Sequence, residues 1–341
     1  AAAAAAEGCP PQASTLQAPP PPGVPVFDVS GKAAEAIGGF ADAVRGFGLE
    51  LAEAAVSPEN LALPPGGKAA KALGRVRREL LEGQGLALVR GLEWPEEPEL
   101  RRLQLLVLGA GLRGRPVPQS TDFKELVADV MARPPEEGDR LYRGYRNPFA
   151  QKLHTDSNRP SAFGEGKCDV MVLHCVRQAA SGGASRLLSA EALHRALAAD
   201  HPRHYARLCE GWPWDGERDW MPEWGPQREH GDGLPLLSRG GPGALSSTVQ
   251  WGKILRQNVE AGFAARAAAG KGAPMGEAER EALDALQQTA NMEELGVRLK
   301  LEEGDVLLLN NYAWMHGRDE FPEAEADGGR RHLLRIWLKM A

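Results

Sequence analysis

From about residue 140 onward the chain consists of short apolar or alternating runs separated by Gly, Pro and Asn, and this pattern constrains the fold more than any other feature. Runs of this length that are bounded by turn residues are typical of β-strands with long connections. The run 169–176 (DVMVLHCV) is the clearest example. Other strands are predicted over residues 185–188, 234–237, 248–251, 297–301, 306–309 and 332–339.

Helical patterns occur before the predicted strands and once between them. Apolar residues recur at helical spacing over residues 32–55 and 67–83, and Pro95 is expected to begin a third helix that reaches about residue 108. The short apolar run 86–89 is predicted to be the first strand of a sheet. In the later part, helices are predicted over residues 190–197, 252–268 and 276–295.

The chain of 341 residues shows no internal repeat and no clear linker, so we expect one domain. Residues 1–26 are rich in Ala and Pro and are predicted to be a disordered tail. The domain over residues 27–341 would then have a mostly helical support (27–110) and a β core (111–341). A helical insert is expected at about residues 190–295.

Composition narrows the classes of partner. The 40 Lys and Arg against 46 Asp and Glu give a net charge of −6, so no basic excess favours nucleic acid or an anionic membrane. The chain contains no run of 18 apolar residues, so no membrane-spanning helix is predicted. The four cysteines form no CxxC motif and are expected to be free thiols in the cytoplasm. Import into an organelle is the alternative, because Glu7 is the only acidic residue before Asp28.

Two His-x-Asp pairs are candidate metal ligands, His154-Thr155-Asp156 and His230-Gly231-Asp232. The first pair ends an extended approach, and residues i and i+2 of a strand project to the same face, so both side chains can reach one ion. The glycines beside Asp232 favour a turn, which would not hold two ligands at fixed angles. Taken alone, however, the first pair is better explained as a polar loop with an Asx turn at 156–158.

A third candidate ligand changes that balance. Residues 304–311 (GDVLLLNN) are predicted to be a turn followed by a buried strand, and the chain continues from there to His316. Two imidazoles and one carboxylate leave half of an octahedron open, as in the facial triad of non-heme Fe(II) oxygenases. Arg331 and Arg335 follow, and their guanidinium groups could bind a carboxylate co-substrate bidentately. A surface arginine pair on an edge strand is the alternative.

Taken in order, these motifs resemble the taurine dioxygenase family of Fe(II)/2-oxoglutarate-dependent oxygenases, and in particular its clavaminate synthase-like branch. The resemblance extends from about residue 85 to the C-terminus. It implies a mainly β fold with flanking helices, built on a double-stranded β-helix, which is a cupin-like jelly roll. The matching pieces are residues 88–92 (LVRGL), 154–156 (HTD), 182–185 (GGAS), 311–321 (NYAWMHGRDEF) and 331–338 (RHLLRIWL).

The resemblance also implies the metal and its ligands. It makes His154, Asp156 and His316 the ligands of Fe(II), with 2-oxoglutarate and O2 as co-substrates. Because Asp156 is present, halogenation is not expected, since halogenating members of the superfamily have Gly or Ala at this position.

The co-substrate contacts are assigned in the same way. Arg331 corresponds to the arginine that pairs with the distal carboxylate of 2-oxoglutarate, and Arg335 is a second cofactor-binding residue. Which of the two is the principal anchor stays open, and Arg330 precedes both. Ser185 stands where the family usually has Thr, so its hydroxyl contact to 2-oxoglutarate is expected to be weaker.

The implied reaction is hydroxylation of an unactivated C–H bond of a small polar or amino-acid-like metabolite, with release of succinate and CO2. Desaturation and ring closure stay open, because they depend on the substrate's pose. A Zn(II)-dependent hydrolase could use the same triad, but it would leave Arg331 and the GGAS motif unexplained. A non-catalytic jelly-roll binding module would have no need for all of these residues.

Substrate contacts are predicted at Gln119, which follows the Pro-Val-Pro of 116–118, and at Arg146. The Trp-rich segment 212–224, together with Arg143 and Tyr145, could form a lid over the iron. The alternative is that its aromatic side chains anchor a long insert to the core. The oligomeric state is not predicted.

Overall fold

Two β-sheets face each other across an apolar layer in the computed structural model, which describes residues 23–46, 63–117, 119, 126–133, 146–156, 168–218, 227–239, 247–322 and 330–340. Helices cover the outer face of each sheet. The fold is therefore the predicted jelly-roll core with flanking helices. Most of the predicted tail lies outside the described residues, as do Arg143 and Tyr145.

The larger sheet contains seven strands, which are β1 (Val26–Asp28), β2 (Leu86–Arg90), β3 (Gly114–Val117), β4 (Ala128–Val130), β6 (Val170–Arg177), β13 (Val306–Asn310) and β15 (His332–Met340). Their order is β1-β2-β13-β6-β15-β3, and β4 also pairs with β15. Every residue of β13 is buried, as expected of an apolar strand in the middle of a covered sheet. The predicted strands 169–176, 306–309 and 332–339 are confirmed.

The smaller sheet contains β5 (Gln151–His154), β7 (Ser185–Ser189), β12 (Val297–Leu299) and β14 (Trp314–Arg318), in the order β12-β7-β14-β5. Alternate residues of each strand point into the layer between the sheets, where Leu187 and Trp314 meet Leu173 and Leu307 of the larger sheet. The layer is apolar along most of its length, and its polar side chains are concentrated at one end.

Two helical layers complete the domain. The outer face of the larger sheet packs against α1 (Lys32–Gly46), α2 (Lys68–Glu82) and α3 (Pro98–Gly111). The smaller sheet packs against the insert between β7 and β12. That insert contains α4 (Ala190–Asp200), α5 (Pro202–Leu208), β8 (Gly211–Arg218), β9 (Gln227–Pro235), β10 (Leu237–Arg239), β11 (Ser247–Val249), α6 (Lys253–Ala268), α7 (Glu277–Ala290) and a short 3-10 helix (Glu293–Leu295).

The structure corrects two local predictions. Residues 230–232 lie in β9, so the turn predicted there is wrong: β8 offers a partner strand, and Gly231 lies opposite Trp214 beside an irregularity in the pairing. The third helix begins at Pro98 rather than Pro95, because a second proline takes the first helical position. Residues 47–55 of the first predicted helix lie outside the described part of the chain.

Two further expectations concern cysteines and membranes. No disulfide joins Cys168, Cys175 and Cys209 to one another, which agrees with the prediction of reduced cysteines, while Cys9 is not among the described residues. None of the helices in the described ranges combines the length and the apolar character needed to cross a bilayer.

Candidate active site

Strand pairing brings the predicted metal ligands together at the polar end of the apolar layer. His154 is the last residue of β5, and it lies directly opposite His316 of β14 in the antiparallel pairing. Asp156 follows His154 by two residues. One His, one Asp and one His therefore converge from two neighbouring strands although 160 residues separate the two halves of the motif in sequence.

The geometry of these three side chains fits one ion. Their candidate ligand atoms all lie within 4.8 Å of one another, and no other group of three metal-binding side chains was found among the residues that the structure describes. Nε2 of His154 is 3.5 Å from Oδ1 of Asp156, and Nε2 of His316 is 3.7 Å from Oδ2. Neighbouring ligands of an octahedral ion with bonds of about 2.1 Å are roughly 3 Å apart, so a small inward movement would complete the site.

Two of the three ligands, His154 and Asp156, are oriented by neighbouring groups. Nδ1 of His154 donates to the carbonyl of Lys152 at 2.9 Å, which fixes the tautomer with Nε2 free to bind a metal. Oδ2 of Asp156 accepts hydrogen bonds from Nη1 of Arg335 at 3.1 Å and from the indole Nε1 of Trp337 at 2.8 Å. Oδ1 is left as the oxygen that faces His154.

Asn311 holds the backbone of the metal loop from the opposite side. Its Oδ1 accepts from the amide of Asp156 at 2.8 Å, while its Nδ2 donates to the carbonyls of Asp156 and Cys168 at 2.9 and 3.0 Å. The side chain is completely buried. Thr155 is tied to the insert, because its amide donates to the carbonyl of Trp251 and its hydroxyl accepts from the Trp251 amide.

Electrostatics keep the carboxylate ionised. Burial by itself would raise the pKa of Asp156, but Arg335, His316 and His154 together outweigh burial and hold that pKa well below its usual range. A carboxylate that stays charged at all physiological pH values is the form that binds a metal ion.

Gln119 lies against Arg335. It is buried, its Oε1 accepts from Nε of Arg335 at 2.6 Å, and its Nε2 donates to the carbonyls of Arg335 and Leu126. Gln119 therefore orients Arg335. Arg146 lies five residues before the start of β5 and is half-buried. Its backbone carbonyl accepts a hydrogen bond from the amide of Arg133.

Arg331 is a buried cation with an unsatisfied donor. Its side chain is 3% exposed, its Nε donates to Oε1 of Gln178 at 3.2 Å, and its buried Nη1 has no hydrogen-bond partner. Burial lowers the pKa of Arg331 to about 10, so the group is still cationic at neutral pH. A buried guanidinium donor without a partner is what an absent carboxylate ligand would leave.

The glycine pair 182–183 shapes the wall beside Arg331. Both glycines have left-handed backbone angles, with φ of 65° and 66°. A Cβ at Gly183 would lie 3.0 Å from Cδ of Arg331, and a Cβ at Gly182 would lie 2.2 Å from the carbonyl oxygen of Glu320. The GGAS motif is thus needed for close approach, and it leads into buried Ser185.

The residues present fit both an iron ion and an oxo-acid. Two imidazole nitrogens and one carboxylate oxygen supply the donor set of an Fe(II) facial triad. The unpartnered donor of Arg331 fits a carboxylate group that belongs to a small ligand.

The family model described as "Taurine catabolism dioxygenase TauD, TfdA family" matches residues 49–337. The chain belongs to this family. The chain is therefore an Fe(II)- and 2-oxoglutarate-dependent dioxygenase, as the sequence predicts. The group formed by His154, Asp156 and His316 agrees with that assignment.

Two curated proteins are similar over most of the chain. A taurine hydroxylase-like protein, SAT17, from Stachybotrys chartarum is 27% identical over 292 residues, which are 82% of this chain and 67% of that protein. FR-33289 synthase from Streptomyces rubellomurinus is 25% identical over 281 residues, which are 80% and 74% of the two chains.

Solved structures share the fold. The non-heme iron oxygenase OrfP in complex with Fe and alpha-ketoglutaric acid has a TM-score of 0.63 at 18% identity, covering 94% of this chain and 95% of that one. Asparagine oxygenase in complex with Fe(II), 3-hydroxyasparagine and succinate has a TM-score of 0.59 at 20% identity, covering 92% of each chain.

Sequence reasoning missed Asn311 and Trp337 as neighbours of the metal ligands. Asn311 carried a signal, because it is a polar residue at the end of an apolar run, where burial demands hydrogen-bond partners. Trp337 carried none, since its alternation in β15 fits an ordinary core residue equally well.

Proposed function

We propose that this dioxygenase hydroxylates an unactivated C–H bond of a small, amino-acid-like metabolite while 2-oxoglutarate is converted to succinate and CO2. His154, Asp156 and His316 would bind the iron. The observation that carries the proposal is the convergence of these three ligands in a domain that also holds Arg331, a buried arginine with an unpartnered donor.

The bound iron would supply the activation of O2 that is coupled to oxidative decarboxylation of the oxo-acid. The residues of the chain contribute position and charge. Three ligands on one side leave three positions open, enough for two oxygens of 2-oxoglutarate and for O2. Arg331 would bind the distal carboxylate, with Ser185 of β7 as a hydroxyl donor.

Arg335 has a different part in this proposal from the one that its spacing suggested. Its contacts to Asp156 and Gln119 support a role beside the metal, which leaves Arg331 as the principal anchor of the distal carboxylate. Gln119 would then act on substrate through Arg335. Arg146, near the start of β5, is retained as a candidate substrate contact.

The substrate class is supported by the structural relatives. OrfP has been solved with L-Arg and with (3S)-hydroxy-L-Arg, and asparagine oxygenase with a 3-hydroxylated asparagine. An amino acid or a compound of similar size and polarity is therefore the class we propose for this chain, with no nucleic acid or membrane as partner.

Anaerobic addition of Fe(II) and 2-oxoglutarate tests the proposal. The complex should give a weak visible charge-transfer band, and O2 should discharge it with formation of succinate. The His316→Ala variant should lose the band. A wild-type protein without the band would contradict the oxygenase and leave a zinc hydrolase or a binding module.

The substrate is then sought by succinate formation. A panel of amino acids, sulfonates and aryloxyacids should contain at least one compound that raises succinate release above its uncoupled rate. The product's mass distinguishes outcomes, since hydroxylation adds one oxygen while desaturation and ring closure remove two hydrogens.

A further inference from the structure

Arg318 is a second buried cation close to Arg331. It lies on β14, two residues after His316, and its side chain is 3% exposed. Its Nη2 donates to the carbonyls of Asn147 and Phe149 at 2.7 and 2.5 Å. Its Nε and Nη1 are buried and have no hydrogen-bond partner. The two carbonyl contacts therefore explain only one of the three nitrogens of this guanidinium.

The two arginines share one environment. The guanidinium carbon of Arg318 lies 4.7 Å from the centre of the Phe321 ring, and that of Arg331 lies 5.5 Å from the same centre. Burial and then the charge of Arg331 lower the pKa of Arg318 to about 10, so both groups are cationic at neutral pH. No carboxylate lies within salt-bridge distance of either guanidinium in the part of the chain that the structure describes.

Strand alignment directs Arg318 toward the co-substrate. Arg318 pairs with Ser185 on β7, while His316 pairs with Leu187, so the two side chains of β14 project to the same face as Ser185. That face looks into the layer between the sheets, where Leu187 is buried. Arg318 thus lies on the wall that also carries the metal ligand His316.

We infer that Arg318 binds the distal carboxylate of 2-oxoglutarate together with Arg331, an inference that rests on the proposed function. Two buried cations without a counter-charge are strongly disfavoured, and an anion between them removes that penalty. A carboxylate can accept about four hydrogen bonds, enough for three unpartnered N–H groups and the Ser185 hydroxyl. Arg318 is therefore a binding residue for the co-substrate as well as a tie to the loop before β5.

Comparing the affinities for two oxo-acids separates the role of Arg318 in binding the co-substrate from its role in holding the loop before β5. The Fe(II) enzyme is titrated without O2, and the charge-transfer band reports the Kd. One ligand is 2-oxoglutarate; the other is 2-oxovalerate, which has the same metal-binding end but lacks the distal carboxylate. We expect Arg318→Met to raise the Kd for 2-oxoglutarate by about 10–100-fold and to change the Kd for 2-oxovalerate by less than about 2-fold.

Arg298→Met is the matched control. Arg298 is exposed on β12 of the same sheet and has acidic partners in Glu293 and Asp319, so its loss should change neither Kd. If Arg318→Met does not fold, Arg318→Lys is the second variant. It keeps the charge but lacks the planar guanidinium with its paired donors, so it should raise the Kd for 2-oxoglutarate more than the Kd for 2-oxovalerate.

Two outcomes would overturn the inference. An equal loss for both oxo-acids would show that Arg318 acts only through the loop carbonyls of Asn147 and Phe149. No loss for either would leave Arg331 as the sole anchor. Failure of the proposed function is distinguishable from both, because the wild-type protein would then give no band with either ligand.

Discussion

At the scale of single residues, the two oxygens of Asp156 have different surroundings. Oδ2 accepts from Arg335 and Trp337, whereas Oδ1 faces His154. A carboxylate constrained in this way should bind iron through one oxygen, because the second is already hydrogen-bonded. The order of the motifs and the family resemblance predicted His154, Asp156 and His316 as a set, and the structure brings the three side chains together. Neither could predict Trp337, which reaches Asp156 across 181 residues of chain.

Trp337→Phe tests this orientation. The substitution removes only the indole donor, so the carboxylate should become more mobile and Fe(II) affinity should fall by about 10–100-fold. The measurement is an anaerobic Fe(II) titration. Trp94→Phe is the control, since Trp94 loses a comparable bond to the carbonyl of Gly304 on the helical side of the larger sheet. Unchanged iron affinity in Trp337→Phe would contradict the prediction.

At the scale of elements, the turn 182–183 lies against Arg331 and leads into β7. The amide of Gly183 donates to the carbonyl of Glu320, which places this turn against the segment that carries Phe321. The GGAS motif was recognised in the sequence, but the element that it contacts was not, because that contact joins segments far apart in the chain. Strands with strong apolar runs were predicted well. The β8–β9 hairpin was not, because its glycines are equally typical of turns.

Three glycines with nearly equal φ allow strain and crowding to be separated. Gly182, Gly183 and Gly270 have φ of 65°, 66° and 66°. Gly270→Ala should cost only the left-handed strain, about 1–2 kcal/mol, because nothing lies within 4 Å of the added Cβ. Gly182→Ala should cost clearly more, since its Cβ would overlap the Glu320 carbonyl. Urea denaturation measures both, and equal losses would contradict the close approach.

Gly183→Ala should differ from both in its effect on function. Its Cβ would press on Cδ and Nε of Arg331, so the arginine should move and the Kd for 2-oxoglutarate should rise by about 10-fold or more. The charge-transfer titration measures it, with Gly270→Ala as control. An unchanged Kd would mean that Arg331 does not depend on this wall.

At the scale of the whole molecule, two histidines are buried far apart, one on β6 of the larger sheet and one on α4 of the insert. His174 stacks on Trp94 beside the N-terminal helices, and His194 of the insert hydrogen-bonds Tyr205 and the carbonyl of Thr248. Burial lowers the pKa of His174 to about 3 and that of His194 to about 4. The layered arrangement itself was predictable from alternating strands and flanking helical patterns. The contacts of the two histidines were not, because they join residues of separate elements.

These histidines should make the protein acid-sensitive. Unfolded histidines take up protons below a pKa of about 6.5, whereas the folded groups stay neutral, so stability is complete above about pH 6.5 and falls toward pH 4. Each histidine contributes about 1.4 kcal/mol per pH unit in that window.

His174→Phe should reduce this dependence. It keeps an aromatic ring against Trp94 but cannot titrate, so the loss of stability between pH 6.5 and pH 5 should shrink by about 2 kcal/mol. Urea denaturation of the metal-free protein measures it. Gly270→Ala is the control, because it removes no titratable group and should leave the slope unchanged; an unchanged slope in His174→Phe would count against the prediction.

With Arg318 in the role that we infer, the two-residue spacing on β14 would also fix the length of the oxo-acid that binds. His316 and Arg318 stand roughly 6.6 Å apart along the strand, since a strand advances about 3.3 Å per residue. With iron at His316 and the distal carboxylate at Arg318, the strand backbone would set the number of carbons in the co-substrate, whereas a loop could adapt to a longer one. The enzyme should therefore reject six-carbon 2-oxoadipate more strongly than enzymes whose anchoring arginine stands on a flexible segment.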